Sequence, residues 1–327
     1  MDPNTSVMQG LRRQRYGVAD TLLLGALVAT FVFGQLYLAL AAGVLIMIVF
    51  AISLDLAQGY AGVETLGHAA FFGSGAYAAG LYALHVSPEP ISGLAVGAGA
   101  GALVGLLTGL IVLRTSGLTQ IMLTLACATL LYELANVGKS VTMGDDGLSG
   151  FSIAPLLGRF DFDILGRTAF VYAAVVMALV YAFAKFFVNS PLGLVAQGLR
   201  ENPVRMRLLG VPVFRRLLAI YVVSALLAGV AGALSAQVNR IVGLDTLGFV
   251  MSANVLVMLA LGGAGRLYGA ILGAAVFMLL SDRAAALDPT NWLAALGVLL
   301  IVVVRFAPEG LAGLMARLTR SKSGKMR

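Results

Sequence analysis

Residues 91–113 read ISGLAVGAGAGALVGLLTGLIVL, with no charged side chain and glycine at 93, 97, 101, 105 and 109. At about 1.5 Å of rise per residue such a run crosses the roughly 30 Å hydrocarbon layer of a bilayer as one helix. A four-residue spacing places Gly93, Gly97, Gly101, Gly105 and Gly109 on one face. In a bilayer such a stripe lets a second helix backbone approach closely, and the contact is held by dispersion. The stretch therefore predicts a membrane-spanning helix that packs tightly on another helix.

The rest of the chain has the same character. Of 327 residues 60% are hydrophobic and 11% charged, with 40 Gly against 9 Pro, and the mean hydropathy is +0.95. A water-soluble domain of this size cannot hide so much apolar surface. The expected fold is an all-α polytopic integral membrane protein with about 8–10 transmembrane or re-entrant helices.

Before the glycine stretch, Arg12, Arg13 and Arg15 precede an apolar run from about Val18 to Phe33, which is kept as mature sequence because no small-residue cleavage site is evident. Leu36 to Leu54 follows as a second run. Gly59 to Leu84 is rich in Gly and Ala but interrupted by Glu64, Thr65 and His68, a pattern that suits a broken or re-entrant helix. After it come apolar residues from Leu118 to Val137, a polar interval 138–167 containing Asp145 and Asp146, and a span from Ala169 to Val188. Leu217 to Val238 carries Ser224, Ala228 and Gly232, a second close-packing face. Val250 to Leu261 and Leu267 to Leu280 are short for upright spans and flank Gly262-Gly263-Ala264-Gly265-Arg266, so tilted or half-helical pieces are expected. Trp292 to Phe306 closes the membrane part. The resulting division is a tail 1–17, a membrane domain 18–306 and a basic tail 307–327, whose cations suit topology and lipid headgroups.

One polar interval differs from the others. Residues 189–216 read NSPLGLVAQGLRENPVRMRLLGVPVFRR. Asn202 can cap a helix, Pro203 suits its first position, Gly210 its left-handed stop, and Pro212 blocks continuation. Val204, Leu208 and Leu209 can share one face, away from Arg205 and Arg207. A two-turn amphipathic helix of this kind is too short to span anything and suits docking to a soluble partner.

Counting cations gives the orientation. With ten alternating spans and the N-terminus inside, only Lys139, Arg159, Arg167, Arg240 and Arg283 of the 22 Lys and Arg residues fall outside. That asymmetry places both termini and the 189–216 loop in the cytoplasm and the 138–167 loop in the periplasm. The formal charge of +7 is thereby a topology signal, and no nucleic-acid partner is expected.

The chemistry is restricted by what is missing. There is no G-x-x-x-x-G-K-[ST] sequence, so the chain has no phosphate loop of its own. His68 and His85 are its only histidines and Cys127 its only cysteine, so no metal cluster, disulfide or cysteine-based catalytic pair is expected. Acidic residues within apolar runs are few: Glu133, with Asp55 and Glu64 near a boundary. An ion-coupled carrier more often shows more of them. A transport pathway energised from elsewhere fits best, with a stand-alone secondary transporter and an integral membrane enzyme as alternatives.

The run Ser53-Leu54-Asp55-Leu56-Ala57-Gln58-Gly59-Tyr60-Ala61-Gly62, continued by Leu66-Gly67-His68-Ala69-Ala70-Phe71-Phe72-Gly73, resembles the signature of LivM-type permeases of branched-chain amino acid ABC importers. Asp55 stands where that signature more often has Asn. Three further blocks agree in order: Arg200-Glu201-Asn202 with Leu209-Gly210 and then 224–234; Leu261–Gly265 with Tyr268-Gly269-Ala270; and Phe306-Ala307-Pro308-Glu309-Gly310-Leu311.

The resemblance implies a non-enzymatic permease subunit of the bacterial inner membrane. It would work with a LivH-like second permease, two cytoplasmic LivG/LivF-like ATPases that hold the ATP and Mg, and a periplasmic binding protein. Branched-chain or similar small amino acids are the implied cargo; related permeases serve urea, short amides or aromatic acids.

The resemblance also places the coupling element at Arg200, Glu201, Asn202, Val204, Arg205, Arg207, Leu208 and Gly210. Asp55, Glu64, Thr65, His68 and Glu133 are candidate pathway or gate residues, against interhelical hydrogen bonds as the competing role. Asp145 and Asp146 suit either the rim of a binding protein or a solvated loop.

Overall fold

In a computed structural model of the chain the described residues are 37–156, 158, 160, 161 and 166–287, with positions 25, 30, 31, 297, 310, 311 and 313. The expected spans at Val18–Phe33 and Trp292–Phe306 lie outside them, apart from single positions. Among the described residues every regular element is helical, as expected, and two isolated β-bridges are present.

The apolar helices α1 (Leu38–Leu54), α2 (Ala69–His85), α3 (Pro90–Val112) and α4 (Leu118–Val137) come first. They are followed by α5 (Arg167–Asn189), α6 (Pro191–Glu201), α7 (Pro203–Leu208), α8 (Val213–Asn239), α9 (Phe249–Gly262) and α10 (Leu267–Leu287). Six of the helices are long and apolar enough to cross a bilayer. The chain is thus a multi-pass membrane protein. α1 continues without interruption into a π-helical turn, Asp55–Tyr60, giving 23 residues in all. The expected break follows: residues 61–68 leave the helix, and α2 restarts at Ala69. At 14 residues α9 is about 21 Å long, as expected shorter than the roughly 30 Å hydrocarbon layer of a bilayer. α10 corrects the companion expectation. It runs 21 residues to Leu287, because Ser281, Asp282 and Arg283 extend the helix past its apolar part.

The glycine stretch forms the seam of the bundle. The five glycines of the four-residue stripe, Gly93, Gly97, Gly101, Gly105 and Gly109, are buried, and they face α8. A methyl added at Gly101 would lie 2.5 Å from the Ala225 carbonyl oxygen and 2.8 Å from the Gly229 Cα. One added at Gly97 would lie 2.8 Å from the carbonyl oxygen of Gly75 in α2. Backbones of three helices therefore touch where Gly75, Gly97 and Gly229 meet. α8 presents Ala225, Gly229 and Ala233 to this seam, one residue on from the stripe expected. Of that stripe, Gly232 packs on the Phe72 carbonyl of α2, and Ser224 Oγ donates to the Ser53 carbonyl of α1 over 2.5 Å.

The bundle has two chemically distinct ends. The Arg114 guanidinium lies over the Phe214 ring, and Arg200 and the 263–266 turn lie at the same end, joined by Arg205, Arg207, Arg215, Arg216 and Arg266 in adjoining segments. At the opposite end Leu148 and Val242 exchange backbone hydrogen bonds of 2.8 and 2.9 Å, and Ala154 N–H donates to the Pro88 carbonyl. Lys139 and Asp145 pair there at 3.9 Å, both largely exposed, a contact worth little.

Candidate functional site

The break between α1 and α2 brings together polar residues from three helices and the break itself: Ser53, Thr65, His68, Thr124 and Ser252. Freed backbone groups at this depth need partners, and neighbouring helices supply them. Leu66 N–H donates to Thr124 Oγ1 of α4 at 3.2 Å, Gly67 N–H to Thr65 Oγ1 at 3.1 Å, and Ala69 N–H, opening α2, to Ser252 Oγ of α9 at 2.9 Å. Gly67 has no room for a side chain, since a Cβ there would strike the Thr124 backbone.

His68 lies beneath this crossing and is 1% exposed. Its Nε2 is 2.9 Å from Ser53 Oγ, whose own hydrogen is committed to the Phe50 carbonyl at 2.6 Å. Nε2 is therefore the donor, and Nδ1 is a buried acceptor with no partner among the described residues. Phe50 stacks on the ring at 5.5 Å, and Phe71 meets it edge-on at 5.3 Å.

A second cluster closes the other side of the break. Asp55, fully buried in the π-helical turn, accepts the Gly265 N–H through Oδ1 at 2.6 Å. Its Oδ2 has no partner among the described residues. The Arg200 guanidinium, from the last turn of α6, donates to the Gly59 carbonyl. Gly59 must lack a side chain, because a Cβ would lie 2.5 Å from Gly265 N. Gly310, with φ +69°, rests against the Gly262–Gly263 backbone of the same turn.

The 189–216 interval is more ordered than its polarity suggests. Ser190 and Pro191 start α6 as Asn202 and Pro203 start α7, and each cap oxygen accepts a backbone N–H: Gly193 at 3.4 Å and Arg205 at 2.9 Å. α7 ends as expected at Gly210, φ +79°, with Val211 N–H on the Met206 carbonyl and Gly210 N–H on that of Arg207. This double closure is the Schellman arrangement. Met206 turns inward onto Gly198 of α6. Val204 and Leu208 sit on the other side, 64% and 84% exposed, and Leu209 is exposed too.

The predicted residues thus fall into separate places. Thr65 and His68 are buried at the break and Asp55 at the adjoining turn, whereas Glu64 is exposed. Glu133 is exposed on α4 and does not join the break, and the Asn136 side-chain oxygen has no partner among the described residues. Asn202, Val204, Arg205, Arg207, Leu208 and Gly210 belong to α7 or its ends, while Glu201 ends α6 and is exposed. Arg200 sits one helix earlier and points back into the bundle. Ser53, Thr124, Ser252 and Gln237 were not singled out from the sequence. Gln237 Nε2 donates to the Pro90 carbonyl at 2.7 Å, and its Oε1 accepts from Tyr172 at 2.8 Å. A polar side chain in an otherwise apolar helix was the available signal for all four.

A sequence profile for the family described as "Branched-chain amino acid transport system / permease component" matches residues 36–304. The chain belongs to this permease family. Among curated relatives it is similar to the high-affinity branched-chain amino acid transport system permease protein LivM of Salmonella typhimurium, 28% identical over 86% of this chain and 71% of that one. The LivM protein of Escherichia coli matches with the same identity and coverage. The fructose import permease protein FrcC of Rhizobium meliloti is 26% identical over 66% of this chain and 62% of its own. No solved structure matches. The permease signature now has a place in the fold: 53–73 spans the end of α1, the break and the start of α2, 200–210 is the α6–α7 corner, 261–265 leads into the turn that Asp55 holds, and Gly310 rests against that turn.

Proposed function

We propose that the chain is a transmembrane permease subunit of an ATP-driven importer that carries branched-chain or similar small amino acids across the bacterial inner membrane. The observation that carries this reading is α7. Its cap, its closure and its inward Met206 are complete within the chain, while Val204 and Leu208 are left uncovered among arginines at the basic end. Neither a secondary carrier nor an enzyme needs such an element. On this reading the basic end and both termini face the cytoplasm, in line with the cation asymmetry.

ATP and Mg belong to two ATPase subunits of the LivG/LivF kind, which receive α7 in a groove. A LivH-like permease completes the membrane part, and a periplasmic binding protein delivers the cargo to the end carrying Asp145 and Asp146. Likeness to both LivM proteins and to a fructose permease supports an import role in which selectivity rests largely with the binding protein.

The test is Leu208→Asp. A carboxylate placed in a desolvated contact costs several kcal/mol, and about 4 kcal/mol lowers affinity roughly a thousandfold. ATPases should no longer co-purify, and uptake of labelled leucine should stop while membrane insertion persists. Arg207→Ala, on the solvated side, should cost about 1 kcal/mol or less. Retention of both ATPases and of uptake by Leu208→Asp overturns the reading. Uptake of labelled fructose in place of leucine would reassign the cargo alone.

A further inference from the structure

We infer that Arg200 is the positioning residue through which movement of the docking helix reaches the broken helix, and that it is not itself a docking contact. The inference rests on the importer reading above. Its basis is the continuity of contacts from α7 inward. Met206 locks α7 onto Gly198 of α6, and Asn202 joins the two helices, its N–H on the Gly198 carbonyl and its side chain capping α7. The corner therefore moves as one piece.

The last turn of α6 is exposed at Arg200 and Glu201, yet it also rests on the broken helix. Its Arg200 backbone and stem lie on Gly62, where an added Cβ would be 3.1 Å from Arg200 Cγ and 3.3 Å from its Cα. Gly62 adopts φ +72°, a conformation suited to glycine, so the break is shaped to receive this residue. The guanidinium then reaches two backbones at once. It donates to the Gly59 carbonyl, and an added Cβ on Gly265 would lie 2.6 Å from its Nη1. Gly59 and Gly265 are the two segments that Asp55 ties together.

One side chain from the corner thus touches the π-helical turn, the first residues of the break and the 262–265 turn. A planar, always charged fork holding a helix-end carbonyl is suited to this task, because it keeps its donors under load and favours the negative end of the helix dipole. Val204 and Leu208 face away, so binding and transmission use different residues.

The experiment uses the whole transporter with its ATPases and a leucine-loaded binding protein, reconstituted in proteoliposomes. Arg200→Met keeps the stem on Gly62 and removes the donors; Arg200→Lys keeps a charge and one donor direction. Arg200→Met is expected to retain its ATPases and their basal hydrolysis but to lose stimulation by the loaded binding protein. Uptake should fall by a coupling factor of about 5–150-fold, with partial recovery in Arg200→Lys. Release of the ATPases by Arg200→Met would make Arg200 a docking contact and overturn the inference while leaving the importer reading standing. Unchanged stimulation and uptake would overturn it as well. Failure of the unsubstituted chain to hold any ATPase would remove the importer reading, and the inference with it.

Discussion

Gly101→Ala adds one methyl at the tightest part of the α3–α8 seam, where 2.5 Å separates the new carbon from the Ala225 carbonyl oxygen. Ordinary carbon contacts lie at about 3.5–4.0 Å, so the helices must part locally by roughly 1 Å, which forfeits a quarter to a half of the dispersion energy of each neighbouring contact. Overpacking of this kind costs about 1–3 kcal/mol. Alanine also favours the helix by about 1 kcal/mol relative to glycine, which obscures the packing cost in a single variant. Gly99→Ala removes that ambiguity. Gly99 lies in the same helix on its exposed face, with nothing within 4 Å of an added Cβ, so it takes the same propensity gain without the clash.

The measurement is the melting of the detergent-purified complex, followed by loss of the monodisperse species after heating. Gly101→Ala should melt several degrees below Gly99→Ala, as expected from a few degrees per kcal/mol. Gly101→Leu should insert into the membrane yet fail to yield intact complex. If Gly101→Ala melts together with Gly99→Ala, the two backbones are not in contact and α3 and α8 form no such seam.

Two further substitutions probe the polar braces. Ser252→Ala leaves the Ala69 N–H buried without an acceptor, a loss of about 1–3 kcal/mol, whereas Ser252→Thr keeps the hydroxyl; equal melting of the two would refute the brace. Asn202→Ala removes the cap of α7 at about 1 kcal/mol, lowering ATPase co-purification about fivefold, with recovery in Asn202→Asp; full retention by the alanine variant would show that α7 does not depend on its cap.

Helices that follow hydrophobic runs were legible in the sequence, and so was the seam, because a four-residue glycine period has one geometric meaning in a helix. α7 was legible because cap, first-position proline and terminal glycine are local signals. The same pair of signals at Ser190 and Pro191 marks α6, but the surrounding polarity and the glycines at 193 and 198 concealed it. The full length of α10 was hidden for a related reason: hydropathy falls at Ser281, Asp282 and Arg283 although the backbone stays helical. The break was legible as an interruption, but its braces were not. Thr124, Ser252 and Arg200 come from 58, 183 and 141 residues away from the groups they satisfy, and local patterning carries no such information.

The role of Asp55 follows from those braces. Its required property is an acceptor at Oδ1 for the Gly265 N–H, and an asparagine oxygen supplies the same acceptor. That accounts for aspartate standing where the permease signature more often has asparagine. Hydrogen bonds already made at the start of α2 also occupy one attractive site for an anionic cargo group. Half-helix N-termini inside membrane proteins can receive a carboxylate, but the Ala69 N–H at the start of α2 is already held by Ser252, and Ala70 and Phe71 donate to the Gly67 and His68 carbonyls. A carboxylate would have to displace Ser252 and so move α9. The contrast with the seam is one of kind. Glycine backbones in contact cannot part slightly without losing dispersion along the whole line, so α2, α3 and α8 are suited to act as a block. Side-chain-to-backbone bonds of about 1 kcal/mol each can be exchanged one at a time, which makes the break and its braces the softer part of the bundle.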